Sequence, residues 1–350
     1  MPSMQLIDLL TQGVQAQASD LHLSAGQPPW LRVHGDMQAL PFPALDSEAI
    51  GSLLDSAMSQ AQRSEFIKLR ELDFAWAVPG LARFRVNAYT QHRGASAVFR
   101  TIPTTLQALD DMGAPGILKE LTQRPRGLVL VTGPTGSGKS TTLAAMVDHY
   151  NQTRNGHIIT LEDPIEFVHS SKGCLVSQRE VGRDTHSLDA ALRAAMREDP
   201  DLILIGELRD LATMRLALSA AETGHLVFAS LHTASAVKTI DRIIDMFPAD
   251  EKDSVRSMLS ESLEGVLAQT LCKTAAGNGR VAAHEVMIGT PAIRNLIREG
   301  KTAQMYSSVQ TGGSLGMQTL DQSLADLVRQ KRITTAEARS KAKVPTLFPG

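Results

Sequence analysis

The segment GPTGSGKST, Gly133 to Thr141, is the clearest indication of the fold class of this chain. It matches the pattern G-x-x-x-x-G-K-[ST], in which glycines let backbone N–H groups wrap around phosphates and the following helix adds a favourable dipole. An apolar run at 127–133 precedes it and a helical pattern at 139–152 follows it. This context indicates a phosphate loop, whereas the alternative interpretation is a flexible glycine turn.

In a phosphate loop, Lys139 reaches the β- and γ-phosphates of a nucleotide and the Ser140 hydroxyl ligates Mg²⁺. The sequence therefore predicts ATP and Mg²⁺ as cofactors. The predicted nucleotide-binding residues are Gly133, Pro134, Thr135, Gly136, Ser137, Gly138, Lys139, Ser140 and Thr141.

Three further apolar runs, at 157–163, 202–207 and 225–231, alternate with helical patterns at 187–198 and 210–222. Continuous apolar runs are expected of strands that are buried on both faces of a parallel sheet. The pattern predicts an α/β core with a parallel sheet and covering helices.

The first 100 residues have a different texture. Short alternating runs indicate strands at 20–26, 30–36, 73–78 and 82–91, with helices at 4–17 and within 47–68. This pattern predicts a small α+β domain at 1–100, a linker at 101–110 and the nucleotide-binding domain at 111–350. Beyond about residue 247, mostly short helices are predicted.

The composition excludes several classes of protein. A net charge of −2 gives no global basic field, so strong nonspecific binding to nucleic acid is not expected. Cys174 and Cys272 are expected to be reduced thiols, and two cysteines cannot build a four-cysteine zinc site. The N-terminus has no signal-peptide pattern, and no run of about 18 apolar residues is present. Any membrane association is therefore expected to be peripheral or through a partner.

Acidic residues follow two of the predicted strands. Glu207 ends the run LILIGE, and the carboxyl ends of parallel strands face the ligand crevice. There it would polarise the attacking water or hold Mg²⁺ through water; the alternative is a helix N-cap acid. Glu162, Asp163 and Glu166 follow another strand, where a charged turn is an equally good interpretation.

His225 and His232 flank one apolar strand. Seven residues of strand span roughly 23 Å, so the two imidazoles cannot share one metal ion. We expect one to face the γ-phosphate and the other a neighbouring element, and the alternative for each is a structural histidine.

The first domain carries several arginines. Arg83 and Arg85 alternate with apolar residues in ARFRVNAY, and Arg93 and Arg100 follow. One interpretation is a solvated strand face. The other is a set of arginine fingers that reaches the phosphates from another domain or subunit.

The segment TPAIRNLIREGK, 290–301, predicts a short capped helix. Thr290 suits the N-cap, Pro291 the first turn and Gly300 the C-terminal cap. The apolar residues Ile293, Leu296 and Ile297 share one face, as in a helix docked on a core. Arg294 and Arg298 are expected to be available to a partner or a neighbouring subunit.

Five motifs together, GPTGSGKST, ITLEDPIEF, LILIGELRD, GHLVFASLHT and AIRNLIRE, resemble the type IV pilus retraction ATPases, the PilT family. ASDLHLSAGQPP and LARFRVNAYTQHRGASAVFRTIP are similar to that family's N-terminal domain, so the resemblance covers about residues 3–345. It implies a PAS-like N-terminal domain, a RecA-like ATPase core and a homohexameric ring. It also implies ATP hydrolysis between domains, coupled to pilus disassembly through an inner-membrane platform protein.

The resemblance also implies roles for individual residues. Lys139 and Ser140 are phosphate-loop ligands, and Glu207 is the catalytic acid of the Walker B motif. The implied acidic box contains Glu162 and Glu166, and the implied histidine box contains His225 and His232. The implied arginine-rich positions are Arg83, Arg85, Arg93 and Arg100. The implied coupling residues are Ile293, Arg294, Asn295, Leu296, Ile297, Arg298 and Glu299.

Several alternatives remain open from the sequence. ATPases for pilus assembly or type II secretion generally carry a four-cysteine zinc module. This chain has only two cysteines, so the retraction branch is favoured. The retraction branch also contains an accessory paralogue. This chain would either be that paralogue or have it as a partner. A nucleotide-binding scaffold without hydrolysis and a DNA-translocating motor are further alternatives. Glu207 and the set of arginines disfavour the scaffold, and the charge balance and the lack of interleaved aromatic and basic residues disfavour the DNA motor.

Overall fold

The computed structural model describes residues 5–33, 35–102, 106–277 and 279–349. Contacts divide the chain into two units, Met1–Thr105 with Pro164–Val168, and Leu106–Asp163 with His169–Gly350. The first unit ends within the predicted linker, and Pro164–Val168 was expected in the nucleotide-binding domain. Some residues of the predicted elements lie outside the described residues, namely 4, 34, 103–105, 278 and 350.

The first unit contains a six-stranded antiparallel sheet in the order β3-β2-β1-β6-β5-β4. Its strands are β1 Asp20–Ser24, β2 Trp30–Val33, β3 Asp36–Ala39, β4 Glu71–Val78, β5 Ala82–Gln91 and β6 Gly94–Ile102. Its helices are α1 Leu6–Gln15, α2 Ser47–Asp55 and α3 Gln60–Leu69.

The two faces of β5 differ as the alternation predicts. Phe84, Val86 and Ala88 are fully buried in the core of this unit, together with residues of α1 and α2. Arg83 and Arg85 lie on the opposite face, because successive side chains of a strand point to opposite sides.

The second unit is built on a seven-stranded sheet in the order β13-β12-β7-β11-β10-β8-β9. All neighbours from β12 to β9 pair in parallel, and β13 pairs antiparallel to β12. The strands are β7 Gly127–Thr132, β8 His157–Glu162, β9 Leu175–Glu180, β10 Leu202–Ile205, β11 Leu226–Leu231, β12 Leu263–Lys273 and β13 Arg280–Ile288. Every residue of β7, β10 and β11 is buried, which explains their unbroken apolar sequences.

Helices connect and cover these strands. They are α4 Ile117–Thr122, α5 Lys139–Thr153, α6 Leu188–Ala195, α7 Leu211–Glu222, α8 Ala236–Asp245, α9 Lys252–Ser262, α10 Pro291–Arg298, α11 Thr302–Thr311, α12 Leu320–Arg329 and α13 Thr335–Lys341. The predicted helices at 139–152, 187–198 and 210–222 correspond to α5, α6 and α7.

The prediction of mostly short helices beyond residue 247 is wrong in one respect. This region also contains β12 and β13, of 11 and 9 residues. Most of β12 is buried on both faces, so its sequence LEGVLAQTLCK lacks the alternation that marks an exposed strand. Its three leucines and its alanine also favour helices, and pairing with β7 on one side and β13 on the other makes it a strand. The sequence pattern also failed to predict β3, β6 and β9 as separate strands.

Both cysteines are free and buried, as expected of reduced thiols. Burial raises the pKa of the Cys272 thiol to about 11 and also raises the pKa of the Cys174 thiol. Within the described ranges, no helix is long and apolar enough to cross a membrane.

Candidate nucleotide-binding and catalytic site

The phosphate loop joins the end of β7 to the start of α5. Its outer glycines adopt backbone angles that L side chains rarely adopt, with φ of 146° at Gly133 and 89° at Gly138. Gly138 is the N-cap of α5, and no side chain caps the first turn. The first N–H groups of α5 are therefore available to an anion, and a side chain added at Gly136 would meet open space. This loop suits a phosphate ligand.

Lys139, the first residue of α5, is almost fully buried in the loop. Its Nζ donates to the carbonyl oxygens of Gly133, at 2.9 Å, and Pro134, at 3.2 Å. It also lies 3.3 Å from Nδ1 of His232, the residue that follows β11. The ammonium group is thus held at the loop that the sequence assigned to phosphates.

Glu207 meets His232 at the same edge of the sheet. Its Oε1 lies 2.9 Å from His232 Nε2, and its Oε2 accepts a 3.0 Å hydrogen bond from Arg209 Nε. Arg209 also donates to Asp163 across 3.3 Å. A polar chain therefore runs from Lys139 to Asp163 along the carboxyl ends of β7, β11, β10 and β8.

The tautomer of His232 follows from its two neighbours. An ammonium group has only donors, so Nδ1 must accept from Lys139. In the neutral imidazole, Nε2 then carries the proton and donates it to the Glu207 carboxylate. His232 thereby connects the phosphate-loop lysine with the predicted catalytic acid.

The two residues of the predicted acidic box have different surroundings. Glu162 is buried at the end of β8, where it accepts hydrogen bonds from the Thr160 hydroxyl, at 2.7 Å, and the Gln178 amide, at 3.3 Å. Glu166 belongs to the first unit, and its Oε1 lies 4.0 Å from a guanidinium nitrogen of Arg85. These two carboxylates therefore belong to different units of the chain.

His225 lies at the amino end of β11, at the opposite edge of the sheet from His232. Its Nδ1 is 3.1 Å from the carbonyl oxygen of Ala220 in α7. The structure does not bring the two histidines together, and among the described residues His225 forms no hydrogen bond with the phosphate loop. A catalytic role for His225 stays a prediction.

The four predicted arginines all belong to the first unit. Arg100 pairs with Asp20 at 2.9 Å and is still 62% exposed. Arg85 is its cross-strand neighbour on β5, and Arg93 is exposed in the turn before β6. The carboxylates of Asp20, beside Arg100, and Glu166, beside Arg85, offset the repulsion between these two guanidiniums. Their role as fingers stays a prediction.

Sequence reasoning missed Gln269, which lies on β12. Its Nε2 donates to the Ser137 carbonyl at 2.7 Å, and its Oε1 accepts from the Thr142 hydroxyl at 2.9 Å. It is 3% exposed. The residue could not be found without first predicting β12 as a strand beside β7.

A metal ion would depend largely on the nucleotide for its ligands. Across 5–33, 35–102, 106–277 and 279–349, no group of three or more His, Cys, Asp or Glu residues could hold a metal. Mg²⁺ usually keeps several waters and binds one or two protein oxygens together with substrate phosphates. The Ser140 hydroxyl lies in the first turn of α5. Its role as a Mg²⁺ ligand, and that of Glu207 through water, stay predictions.

Comparison with known proteins shows the family to which this chain belongs. The family model described as "Type II/IV secretion system protein" matches residues 74–279. The type IV pilus retraction ATPase PilT of Pseudomonas aeruginosa is 61% identical to this chain, over 99% of this chain and 100% of its own length. This chain belongs to the type II/IV secretion system protein family.

Other members of the type II/IV secretion system family are also similar over nearly the whole chain. A twitching motility protein of Neisseria gonorrhoeae is 54% identical over 96% of this chain and 89% of its own length. The crystal structure of a pilus retraction motor PilT with bound ADP superposes with a TM-score of 0.90, at 45% identity and 98% coverage of both chains. The predicted RecA-like P-loop ATPase fold is confirmed, and so is the resemblance to the retraction ATPases.

The segment at 290–301 forms the predicted capped helix, α10. Thr290 accepts a hydrogen bond from the Ile293 amide, Pro291 begins α10, and Gly300 has a φ of 67°. Ile293 and Ile297 are fully buried, and Leu296 packs against the same core. The cap residues and the docked face are therefore confirmed.

The expectation that both arginines of α10 are available to a partner is wrong for Arg294. Its guanidinium donates to the carbonyl oxygens of Gly289, at 2.7 Å, and Ser260, at 2.9 Å, and also to that of Glu261. It also forms a 2.7 Å ion pair with Glu264. Arg294 therefore binds the end of α9 and the start of β12.

Arg298 differs from Arg294. It is exposed, and its hydrogen bond to the Ser260 hydroxyl is long, at 3.5 Å. Asn295 and Glu299 are exposed on the same helix and bond to each other at 2.9 Å. The accessible polar surface of α10 therefore consists of Asn295, Arg298 and Glu299.

Proposed function

We propose that this ATPase is a motor that retracts type IV pili. In this proposal it works as a homohexameric ring that hydrolyses ATP with Mg²⁺ on the cytoplasmic side of the inner membrane. It would act on the platform protein of the pilus machine and drive pilus disassembly and twitching motility. The observation that supports the proposal most strongly is the near full-length similarity to proteins named for retraction and twitching. The contacts from Lys139 through His232 to Glu207 fit the same proposal.

The phosphate loop supplies the binding part of the mechanism. Its backbone N–H groups and Lys139 would hold the phosphates, because the ammonium already lies among oxygen acceptors at the loop. The Ser140 hydroxyl would hold Mg²⁺, which neutralises charge that develops on the phosphates.

Glu207 and His232 supply the chemical part. The Glu207 carboxylate would orient the attacking water and accept its proton, and His232 keeps that carboxylate at a fixed distance from Lys139. Arg209 donates to the other carboxylate oxygen, which prevents free rotation of the acid. Glu162, buried nearby on β8, would act through its hydrogen bonds to Thr160 and Gln178.

Arginines of the first unit would complete the site from a neighbouring subunit. In the second unit, the Arg209 guanidinium pairs with the Glu207 carboxylate. Because it neutralises this acid, Arg209 is not a candidate for a finger. Arg83, Arg85, Arg93 and Arg100 remain the candidates for fingers, and a closed ring would bring them to a phosphate site in trans. The ring is thus part of the proposed mechanism.

Deletion and complementation in the source organism tests the proposal. Loss of this chain is expected to give hyperpiliated cells without twitching, restored by the wild-type chain and not by Glu207→Gln. Bald cells would contradict retraction and indicate an assembly ATPase. Twitching that survives the deletion would indicate an accessory paralogue.

The oligomeric state tests the interdomain mechanism separately. Light scattering after size-exclusion chromatography, with and without Mg·ATP, is expected to detect a hexamer for the Glu207→Gln protein. A monomer that hydrolyses ATP at the full rate would overturn the proposal that fingers act in trans.

A further inference from the structure

The side chain of Gln269 links the phosphate loop to the first turn of the following helix. Its amide nitrogen donates to the carbonyl of Ser137, inside the loop, and its amide oxygen accepts from the hydroxyl of Thr142, in α5. These two contacts, 2.7 and 2.9 Å long, are buried. One side chain of β12 therefore fixes both the loop and the start of α5.

The orientation of this amide is determined by its neighbours. The Ser137 carbonyl can only accept, so the nitrogen of the amide must face it. The oxygen then faces the Thr142 hydroxyl, which donates. A glutamate at position 269 would offer only acceptors when ionised, and a leucine would offer neither group. Glutamine meets both needs.

The two outer glycines of the loop also pack against Gln269. A Cβ added at Gly133 would lie 2.3 Å from the Gln269 carbonyl oxygen. A Cβ added at Gly138 would lie 3.1 Å from its Nε2 atom. Larger residues are therefore excluded at these two glycines for a second reason besides the positive φ, because β12 passes directly beside the loop.

The place of β12 in the sheet brings Gln269 to this position. The register pairs Ala268 with Thr132, the last residue of β7, so Gln269 is the first residue of β12 beyond that pair. The phosphate loop begins at the same level. Gln269 is buried between the loop and the antiparallel neighbour β13, where it faces His284 in register.

We propose that Gln269 is a positioning residue for nucleotide binding, which holds the phosphate loop and the first turn of α5 in the shape that receives phosphates. This rests on the proposed function only in that the loop binds ATP. Gln269 does not contact the phosphates in this proposal; it acts through the Ser137 carbonyl and the Thr142 hydroxyl. Replacing Gln269 is expected to raise the Kd for nucleotide even where the melting temperature changes little.

Equilibrium binding of a fluorescent ADP with Mg²⁺ provides the test, together with the KM for ATP, kcat and the melting temperature. Gln269→Leu is expected to raise the Kd for Mg·ADP about tenfold or more, since two buried hydrogen bonds are lost and the Ser137 carbonyl loses this donor. Gln269→Glu keeps the shape and the acceptor for Thr142, and is expected to raise the Kd by a similar factor.

Two further variants separate positioning from stability. Val266→Ala removes buried apolar atoms from the same strand and is expected to lower the melting temperature without changing the Kd. Thr142→Val removes one of the two hydrogen bonds and is expected to have a smaller effect on the Kd than Gln269→Leu. Combining it with Gln269→Leu is expected to add nothing, because both changes break the same link.

An unchanged Kd in Gln269→Glu and Gln269→Leu, with a melting temperature lowered as in Val266→Ala, would overturn the inference. If Gln269→Leu does not fold, the Gln269→Glu and Thr142→Val proteins still decide the question. A wild-type protein that binds Mg·ADP and fails to support retraction would contradict the proposed function and leave this inference standing.

Discussion

The nucleotide-binding edge of the sheet and helix α10 each contain a cation that contacts oxygen acceptors, Lys139 and Arg294, but the surroundings of the two cations differ. At the nucleotide edge, Lys139 has contacts with two loop carbonyls and with a histidine that also bonds Glu207. At α10, the Arg294 guanidinium binds three backbone carbonyls and Glu264.

The difference lies in what surrounds the cation. Lys139 lies at a loop with open space at Gly136 and uncapped N–H groups, so a phosphate can replace its carbonyl contacts. Arg294 occupies a site in which the chain itself provides the acceptors, at the end of α9 and the start of β12. A cation in a functional motif is therefore a candidate ligand contact where a ligand can replace the acceptors that its own chain provides, as at Lys139 and not at Arg294.

The largest effect is expected at Glu207. Glu207→Gln should lower kcat by about 10²–10⁴-fold, because the amide cannot accept the proton of the attacking water. Binding of Mg·ADP should remain within a few-fold of wild type. Steady-state hydrolysis and fluorescent-ADP binding measure the two quantities, and Glu222→Gln, at an exposed position of α7, is the matched control. Full turnover in the Glu207 variant would remove this residue from the mechanism.

A smaller effect on turnover is expected at His232, and almost none at His225. His232→Gln breaks the link between Lys139 and Glu207 and should lower kcat by about 10–100-fold. His225→Gln changes a contact with Ala220 at the opposite edge of the sheet and should leave kcat within about threefold.

The same hydrolysis assay checks both histidine variants. An equally large loss of kcat in the His225 variant would mean that this residue contributes to catalysis by a route outside the described contacts. Melting temperatures measured alongside would distinguish that outcome from partial unfolding.

Within α10, Arg294→Ala should lower the free energy of unfolding by about 2–4 kcal/mol. It removes a partly buried guanidinium and leaves Glu264 and three carbonyls without that donor. Glu264 keeps its ion pair with Arg124, at 3.2 Å, which limits the cost. Chemical denaturation measures the change, and a loss below about 0.5 kcal/mol would contradict the internal role of Arg294.

The smallest effect on stability is expected at Arg298. Arg298→Ala should change the free energy of unfolding by less than about 0.5 kcal/mol, since the side chain is exposed. If α10 couples the motor to a partner, this variant should keep ATP hydrolysis and lose retraction, measured as twitching zones.

Retraction that survives both Arg298→Ala and the double change with Arg294→Ala would make the assignment of α10 as a coupling element wrong. Loss of retraction in Arg294→Ala alone would be explained by the stability change.

Features that depend on local pattern could be predicted from the residues alone. A phosphate loop between a buried strand and a helix, a capped α10 with Thr290 and Gly300 at its ends, and Glu207 at a strand end all follow from spacing within a few residues. Backbone angles, caps and the direction of successive side chains are set locally, so these predictions needed no knowledge of the fold.

Contacts between side chains that are far apart in the sequence depend on how the strands and helices pack. Gln269 reaches the loop only because β12 pairs with β7, more than a hundred residues away in the sequence. Arg294 and Arg298 occur in the same motif, and only the packing of α10 against α9 and β12 binds one and leaves the other exposed. Pairing across such separations depends on burial of both faces of a strand, which has no periodic signature in the sequence.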